Sequence, residues 1–483
     1  MQGNKDAARR HRVAGDVVSA AASDASAMLA ARIVQRFGAE NVAASATELA
    51  GYEVDGMRPA VAVFAKSAQE ISELLKFAAL EKLAVIPCGS RTKLGIGMPP
   101  ARYDIALDLS RMNRVLAFDP RDLTLGVEPG IRFSVLATTL AAEKQFLPLN
   151  PPFFQRATVG GILAADSASP LRHLYGGPRD FALGLEFVTG DGALAKSGGR
   201  VVKNVSGYDL HKLLIGSLGT LAVITRANFK TFPMPPEQVV FVVAFEDAAA
   251  ALEFCRVLGR SPLGALQVDV FSPDTAQIFA AQSNVEIALP EGRWCVVVSA
   301  AGNARVVERH RRELPGMATL AKASGLVALG DTQQSMKVAA TLLGRVREFP
   351  ALMQAADSAA TIFRIAALPS TMHAIPQRLD ALASEFEMRT AIALRPHGLI
   401  YFAILPSATD GVAFGKLTKI AAAVFRATEE LGAQARIEFA PTELKRAVNV
   451  WGAARPDFEL MRRVKKVFDP GNVLSPERFA GGI

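Results

Sequence analysis

Leu83-Ala84-Val85-Ile86-Pro87-Cys88-Gly89-Ser90-Arg91-Thr92-Lys93-Leu94-Gly95-Ile96-Gly97 is the stretch on which the reading of this chain turns. Leu83 to Ile86 is an apolar run of strand length that passes straight into a loop of glycine and small polar residues. Backbone amides in such a loop can point at phosphate oxygens, and Lys93 places a cation beside them. A plain surface turn is the alternative reading, and two common phosphate loops fit the stretch poorly. A Walker A loop needs two glycines five apart followed by lysine and serine or threonine, which the stretch lacks. Gly95-Ile96-Gly97 opens a dinucleotide fingerprint, but Pro100 stands where the third glycine belongs.

Upstream, an amphipathic stretch from about Asp24 to Phe37 predicts a leading helix within an alanine-rich segment, 1–55. Ala60 to Phe64 reads as a buried strand. Ser67-Ala68-Gln69-Glu70 has the pattern of a capping box, and the helix after it buries Ile71, Leu74, Leu75 and Ala78. Downstream, strands are expected at Asp104 to Leu109 and Thr124 to Val127, and a helix at Phe133 to Lys144. Thr158-Val159-Gly160-Gly161 opens a small-residue helix that a ligand can approach closely. Phe181 to Thr189 is a strand leading to an Asp191-Gly192 hairpin turn, Asp209 to Ile215 a short helix, and Thr220 to Thr225 a strand. Pro233-Met234-Pro235-Pro236 marks a boundary. Beyond it the rhythm is β-α-β-β-α-β twice: strands at 239–245, 265–271, 293–300 and 325–329, then 361–368, 389–394, 398–404 and 434–439, with helices between them. Two such ferredoxin-like halves make one antiparallel sheet covered by helices.

Composition removes several classes. Half of the 483 residues are hydrophobic and 21% are charged, a globular balance. Cys88, Cys255 and Cys295 are too far apart for a disulfide framework, a zinc knuckle or an iron–sulfur cluster, and fit a reducing cytoplasm. The longest apolar run, Val239 to Phe245, is far short of a membrane span. Lys5, Arg9, Arg10 and Arg12 precede no apolar stretch, so the start does not read as a secretory signal. The net charge is +8, but there is no long basic run or nucleic-acid motif. A phosphorylated cofactor, an anionic substrate or a membrane surface could use that charge, with a basic but ordinary surface as the plainer account of it.

Taken in order, the segments resemble the FAD-binding domain of the vanillyl-alcohol oxidase and p-cresol methylhydroxylase (PCMH) superfamily, and more narrowly the FAD-binding subunits of bacterial glycolate oxidases. The resemblance rests on the Pro87–Gly95 loop, Leu109 to Val115, Val127-Glu128-Pro129-Gly130, Thr158 to Gly161, Tyr175 to Asp180, Lys203 to Asp209, Gly216 to Thr225, and the tail Phe468-Asp469-Pro470-Gly471-Asn472. It implies an α+β chain: a PCMH-type FAD-binding domain of two α/β subdomains at 56–235, after the N-terminal lead 1–55. A ferredoxin-like antiparallel-sheet cap follows at 236–450, and 451–483 returns to the FAD domain. It implies that Gly89, Ser90, Arg91, Thr92 and Lys93 hold the FAD pyrophosphate. Thr158, Gly160 and Gly161 then line the flavin and pyrophosphate, and the main chain at Val223 and Ile224 meets the adenine. The flavin ring would lie at the junction with the cap.

Arg91 departs from the family, which usually has glycine there; a left-handed backbone at that position would be strained. Ala222 and Ser169 also replace common glycines. No histidine lies in the first loop, and Arg156 stands near where a linking cysteine would be expected, so FAD is expected to be non-covalent. Cys88 reads as a packing residue.

Flavin oxidation of a 2-hydroxy acid needs a cation for the carboxylate and a base for the hydroxyl proton. Relatives that oxidise D-2-hydroxy acids carry two histidine motifs for metal and substrate, and neither occurs here. The six histidines have no metal-ligand spacing, and no metal is expected. Arg364, on a predicted cap strand, is the best substrate-side cation, with a salt-bridged strand residue as the plainer reading. Arg462, Arg463, Lys465 and Lys466 read as a solvated helix face. The resemblance implies a cytoplasmic flavin subunit of a glycolate oxidase-type complex, acting on a small 2-hydroxy acid. A second flavin subunit and an iron–sulfur subunit would be its partners and its only route to a membrane. A stand-alone dehydrogenase for a lactate-like acid and a scaffold with a degenerate FAD site are the alternatives.

Overall fold

Three sheets follow one another along the chain in a computed structural model that describes residues 24–200, 207–282, 289–407 and 411–483. The first contains β1 (Val42–Ala43), β2 (Val61–Phe64), β3 (Val85–Cys88) and β4 (Ile105–Asp108), in the order β1-β2-β4-β3. β2, β4 and β3 are parallel, and β1 pairs antiparallel with β2. Parallel strands need a crossover. The helix Ala68–Leu80 supplies the first, burying Ile71, Leu74, Leu75 and Ala78 as its periodicity predicts. The capping box is half formed. Ser67 accepts from the Glu70 amide, but the Glu70 carboxylate accepts from the Lys66 amide at 2.8 Å instead of reaching back to Ser67. The second crossover, β3 to β4, is the glycine-containing loop. The N-terminal lead packs on this sheet through the fully buried Ile33 of helix 24–37, an Arg32–Glu81 ion pair and β1 itself.

The second sheet is antiparallel. Its strands are β5 (Val115–Asp119), β6 (Thr124–Val127), β8 (Ala182–Thr189), β9 (Leu194–Gly198) and β10 (Ala222–Lys230), in the order β5-β6-β10-β8-β9. A small pair, β7 (Gln145–Phe146) with β11 (Phe232–Pro233), lies beside it. The expected Asp191-Gly192 hairpin forms, with Gly192 at φ 81°. β10 continues well past Thr225, because a bulge between Ile224 and Arg226 bends it without ending it. The helices Phe133–Ala142 and Val159–Ala165 share an apolar cluster with the sheet, among them Leu136, Ile162, Phe187 and Phe229.

The cap is one eight-stranded antiparallel sheet. Its strands are β12 (Glu237–Phe245), β13 (Gln267–Phe271), β14 (Trp294–Gly302), β15 (Gly325–Leu329), β16 (Thr361–Ala366), β17 (Arg389–Arg395), β18 (Leu399–Leu405) and β19 (Gln434–Phe439). The order β15-β12-β14-β13-β17-β18-β16-β19 is two ferredoxin-like halves back to back, joined where Val270 and Phe271 pair with Leu394 and Ala393. The helices Ala248–Arg260, Ala304–Leu320, Ala374–Glu385 and Gly411–Glu430 contribute to the apolar core on one face. The helices Pro273–Ala281 and Phe349–Ala356, which sequence reading passed over, belong to the other, where Ile96, Ala165 and Ala168 of the preceding domain also pack.

The closing helix Phe458–Phe468 corrects one expectation. Arg462, Arg463 and Lys466 are exposed, but Lys465 is buried. Its ammonium donates to Asp469 at 2.6 Å and to the carbonyls of Thr220 and Leu474, fastening the tail to the start of β10.

Candidate functional site

A cleft separates the first sheet from the second. Two adjoining cavities follow the β3–β4 loop, the start of helix Val159–Ala165 and the start of β10. Gly89, Thr158 and Gly161 line both. Ser90 to Lys93 line one of them, and Gly160, Val223 and Ile224 the other. The structure therefore brings together every residue expected to touch the cofactor.

The end of the loop is pinned. Its carbonyls are held from behind. Arg478 of the tail donates to the carbonyls of Leu94 and Ile96, and Lys445 of the cap, paired with Asp55 at 2.8 Å, donates to the carbonyl of Gly95. Among the described residues, the amides of Ser90, Arg91, Thr92 and Lys93 have no protein acceptor. Four consecutive unpaired amides around a concave wall make an anion cradle. Lys93 sits beside them, with one hydrogen bond, to the Pro152 carbonyl at 3.3 Å. Burial pushes its pKa down to about 8, against weaker support from Glu438 and Glu348. A buried ammonium with no carboxylate in contact is a site for an incoming anion.

The glycines leave the room. A Cβ on Gly89 would run into the Thr158 hydroxyl, and one on Gly160 would come within 2.7 Å of Pro129 Cβ. β10 pairs with β6 only from Ala227 onward, so the main chain of Ala222 to Ile224 keeps one open edge toward the cleft, suited to a flat heterocycle's donors and acceptors.

Arg91 has φ 63°, the left-handed conformation its family glycine would adopt freely. Its guanidinium turns to Asp108, at 3.0 Å, and lies 4.4 Å over the Tyr52 ring; Tyr52 also donates to Asp108 at 2.7 Å. The strained backbone is thus tied to the N-terminal lead, and Arg91 offers the cleft its amide. Ala222 and Ser169 have no positive φ, so glycine is not required there. Cys88 is buried, and burial drives its thiol pKa well up.

Arg364 does not stand free. It donates to Glu438 at 3.2 Å and to the Asp166 carbonyl at 3.0 Å, joining the cap to the end of helix Val159–Ala165. Burial opposes its charge, but Glu438, Tyr401 and Asp166 outweigh that and raise its pKa. Arg179 and Asp180 serve local structure, bonding the Ile215 carbonyl and the Gly177 amide. Tyr208 is exposed, and Lys203 to Ser206 and His11 lie outside the described residues.

One group was not foreseen. His173, from the helix Arg172–Tyr175, and His397, from the β17–β18 turn, have ring centroids 6.3 Å apart. Both nitrogens of His397 and Nδ1 of His173 are buried without partners. No sequence signal pairs residues so distant; only the docking of the cap does.

Two family models match the chain: "FAD binding domain" over residues 59–198 and "FAD linked oxidases, C-terminal domain" over residues 234–479. The chain belongs to the FAD-linked oxidases. It is similar to glycolate oxidase subunit GlcD of Bacillus subtilis, 24% identical over 86% of this chain and 88% of that one. It is 34% identical to Escherichia coli glycolate oxidase subunit GlcE over 35% of this chain and 47% of that one. D-2-hydroxyglutarate dehydrogenase of Stutzerimonas stutzeri is 23% identical over 86% and 90%. Among solved structures, p-cresol methylhydroxylase with substrate bound superposes with a TM-score of 0.72 at 17% identity, over 94% of this chain and 96% of that one, which establishes the PCMH-type fold. The chain is an FAD-dependent oxidoreductase of this family, and the unpaired amides, Lys93 and the glycine-lined walls fit the cofactor.

Proposed function

We propose that this chain oxidises glycolate or a similar small 2-hydroxy acid to the 2-oxo acid, as a flavin subunit of a glycolate oxidase-type assembly. The observation that carries the reading is the cleft itself, with four unpaired amides and a lysine, Lys93, that has no carboxylate in contact. FAD, when bound, supplies the hydride acceptor. The residues' own tasks follow from their positions. Ser90 to Lys93 hold the pyrophosphate, Thr158, Gly160 and Gly161 line the flavin side, and the open edge at Val223 and Ile224 meets the adenine. The cofactor is held without a covalent bond, since Cys88, the one nucleophilic thiol on the wall, is kept neutral by burial. Arg364 positions the cap against the helix that borders the flavin.

The three cysteines are all buried and separate, and no metal-binding group of three or more side chains occurs among the described residues. In this reading electrons leave to a partner, a quinone pathway or another acceptor, and a second flavin subunit and an iron–sulfur subunit are the proposed partners. No helix of the described residues is long and apolar enough to cross a membrane, and any membrane contact is assigned to those partners.

The test is the visible spectrum of the purified protein under anaerobic glycolate or D-lactate, alone and with its partner subunits. Bleaching of a flavin band supports the reading. A protein that copurifies with FAD but is bleached by no 2-hydroxy acid in either setting refutes it.

A further inference from the structure

Arg478, in the segment that follows the closing helix, is only 3% exposed and lines the cavity along the β3–β4 loop, beside Ser90 to Lys93. A tight turn carries it there. Ser475 and Glu477 both have left-handed backbones, at φ 46° and 64°. That conformation costs free energy for a residue with a side chain and persists only where its surroundings impose it. Here they do so from two domains. The Ser475 amide donates to the Val85 carbonyl at 2.9 Å, and the Arg478 carbonyl accepts from the Met98 amide at 3.0 Å and from Trp451 Nε1 at 3.1 Å.

The guanidinium is only partly engaged. Nη2 donates to the carbonyls of Leu94 and Ile96, and Nε reaches that of Met98 at 3.5 Å. Among the described residues, Nη1 has no protein acceptor, and no carboxylate is in contact with the side chain. Burial, against weaker support from Asp55, lowers its pKa to about 10, so it keeps its charge at neutral pH.

The charges around the loop do not cancel. Arg91 is paired with Asp108 at 3.0 Å, and Lys445 with Asp55 at 2.8 Å. Glu438 and Glu348 act on Lys93 from a distance, but each already has its own guanidinium: Arg364 and Arg436 on the first, Arg347 on the second. Lys93 and Arg478 are left without a carboxylate in contact. Each is buried at a cost that an anion would relieve.

We propose that Arg478 binds the FAD pyrophosphate through Nη1, as the second cation of the site beside Lys93, so that the tail forms part of the cofactor's wall. The inference rests on the placement of the pyrophosphate at Ser90 to Lys93 and extends it. Two cations match the two negative charges of the pyrophosphate, and a guanidinium has donors enough to hold loop carbonyls and an anion together.

The test uses the deflavinated full chain, titrated with FAD by fluorescence and unfolded in urea without cofactor. Arg478→Gln should weaken FAD by about tenfold or more and leave the cofactor-free protein no less stable than its parent. Arg478→Lys, which keeps the charge, should recover most of the lost affinity. FAD binding within twofold of the parent in Arg478→Gln overturns the proposal. So does a loss of cofactor-free stability in Arg478→Gln with no recovery of FAD binding in Arg478→Lys, since that marks the residue as a tie to the loop carbonyls alone. A second measurement needs no change at Arg478. Lys93→Met leaves Arg478 as the uncompensated cation of the loop, and millimolar inorganic pyrophosphate should still protect that variant against heat better than sodium chloride of equal ionic strength. No gain from pyrophosphate overturns the proposal. Failure of the pyrophosphate placement looks different: Lys93→Met and Arg478→Gln would both leave FAD affinity unchanged, whereas an effect of Lys93→Met alone sinks only the role of Arg478.

Discussion

Replacing Lys93 by methionine should move two quantities in opposite directions. In the cofactor-free protein the Lys93 pKa lies near 8, against 10.5 for an ordinary lysine, and burial is the main cause. Below pH 8 both folded and unfolded chains carry the proton, and keeping it in the buried site costs about 3 kcal/mol. Between pH 8 and 10.5 the unfolded chain binds more protons than the folded one, so stability rises with pH across that window and the penalty is gone above it. Methionine fills similar space without the charge. At pH 7 the cofactor-free Lys93→Met protein should therefore resist urea better than its parent, by up to about 3 kcal/mol, with the difference closing above pH 10.5. FAD affinity should fall, because a charge-assisted hydrogen bond to phosphate is worth about 1.5–3 kcal/mol, or about ten- to a hundredfold in Kd. In the parent, FAD affinity should also decline as pH rises through about 8, since the free lysine must then take up a proton on binding; the variant should lack that dependence. Fluorescence titration of deflavinated protein with FAD, beside urea unfolding at pH 7 and 10.5, checks all of these. A variant that is less stable at pH 7 without cofactor, or that binds FAD within twofold of the parent, would refute the assignment of Lys93 to an anion.

Other expectations come from the same geometry. Arg91→Ala keeps the left-handed backbone and loses the Asp108 and Tyr52 contacts, whereas Arg91→Gly relieves the backbone; Arg91→Gly should be the more stable of the two by about 1 kcal/mol in chemical denaturation. Gly89→Ala should lose FAD, because its methyl meets the Thr158 hydroxyl, and a second change, Thr158→Ala, should recover part of the binding in the same titration. Arg364→Met leaves the buried Glu438 with Arg436 alone and cuts the tie to the Asp166 carbonyl; it should cost about 3 kcal/mol of stability and expose the cap junction to limited proteolysis. Glu348→Ala removes the acceptor of the Phe153 and Phe154 amides, at 2.6 and 3.0 Å, and should destabilise the cap–FAD domain junction by about 1–3 kcal/mol, read as a lower unfolding midpoint.

Much of the architecture could be read along the chain because it is locally encoded. The helix Ala68–Leu80 shows its buried stripe in its own periodicity, and the hairpin after β8 shows itself in Asp191-Gly192. The doubled β-α-β-β-α-β rhythm predicts the cap, down to a strand at 434–439 that matches β19 residue for residue. The misses arose where a neighbour outweighed local pattern. Glu70 accepts from the Lys66 amide, one residue before the N-cap, and not from the N-cap's own amide. Lys465 reads as a surface lysine on an amphipathic helix, yet Asp469 and two carbonyls of other segments draw it inside.

The site divides in the same way. The expectation that Gly89 to Lys93, Thr158, Gly160, Gly161, Val223 and Ile224 hold the cofactor came from the family resemblance of the ordered segments, since the loop's own residue types suit a phosphate but also a surface turn; the structure places these residues around one cleft. The end of that loop is held by Arg478 and Lys445, which arrive from more than 300 residues away and donate to the carbonyls of Leu94, Gly95 and Ile96. The same holds for Arg364, Arg395, His173 and His397. Arg364 stood out along the chain as a possible substrate-side cation, and the other three did not. The ion pairs of Arg364 and the unpartnered nitrogens of Arg395, His173 and His397 exist only once the cap sheet closes on the FAD domain, because burial is a property of the packed molecule and of no single segment.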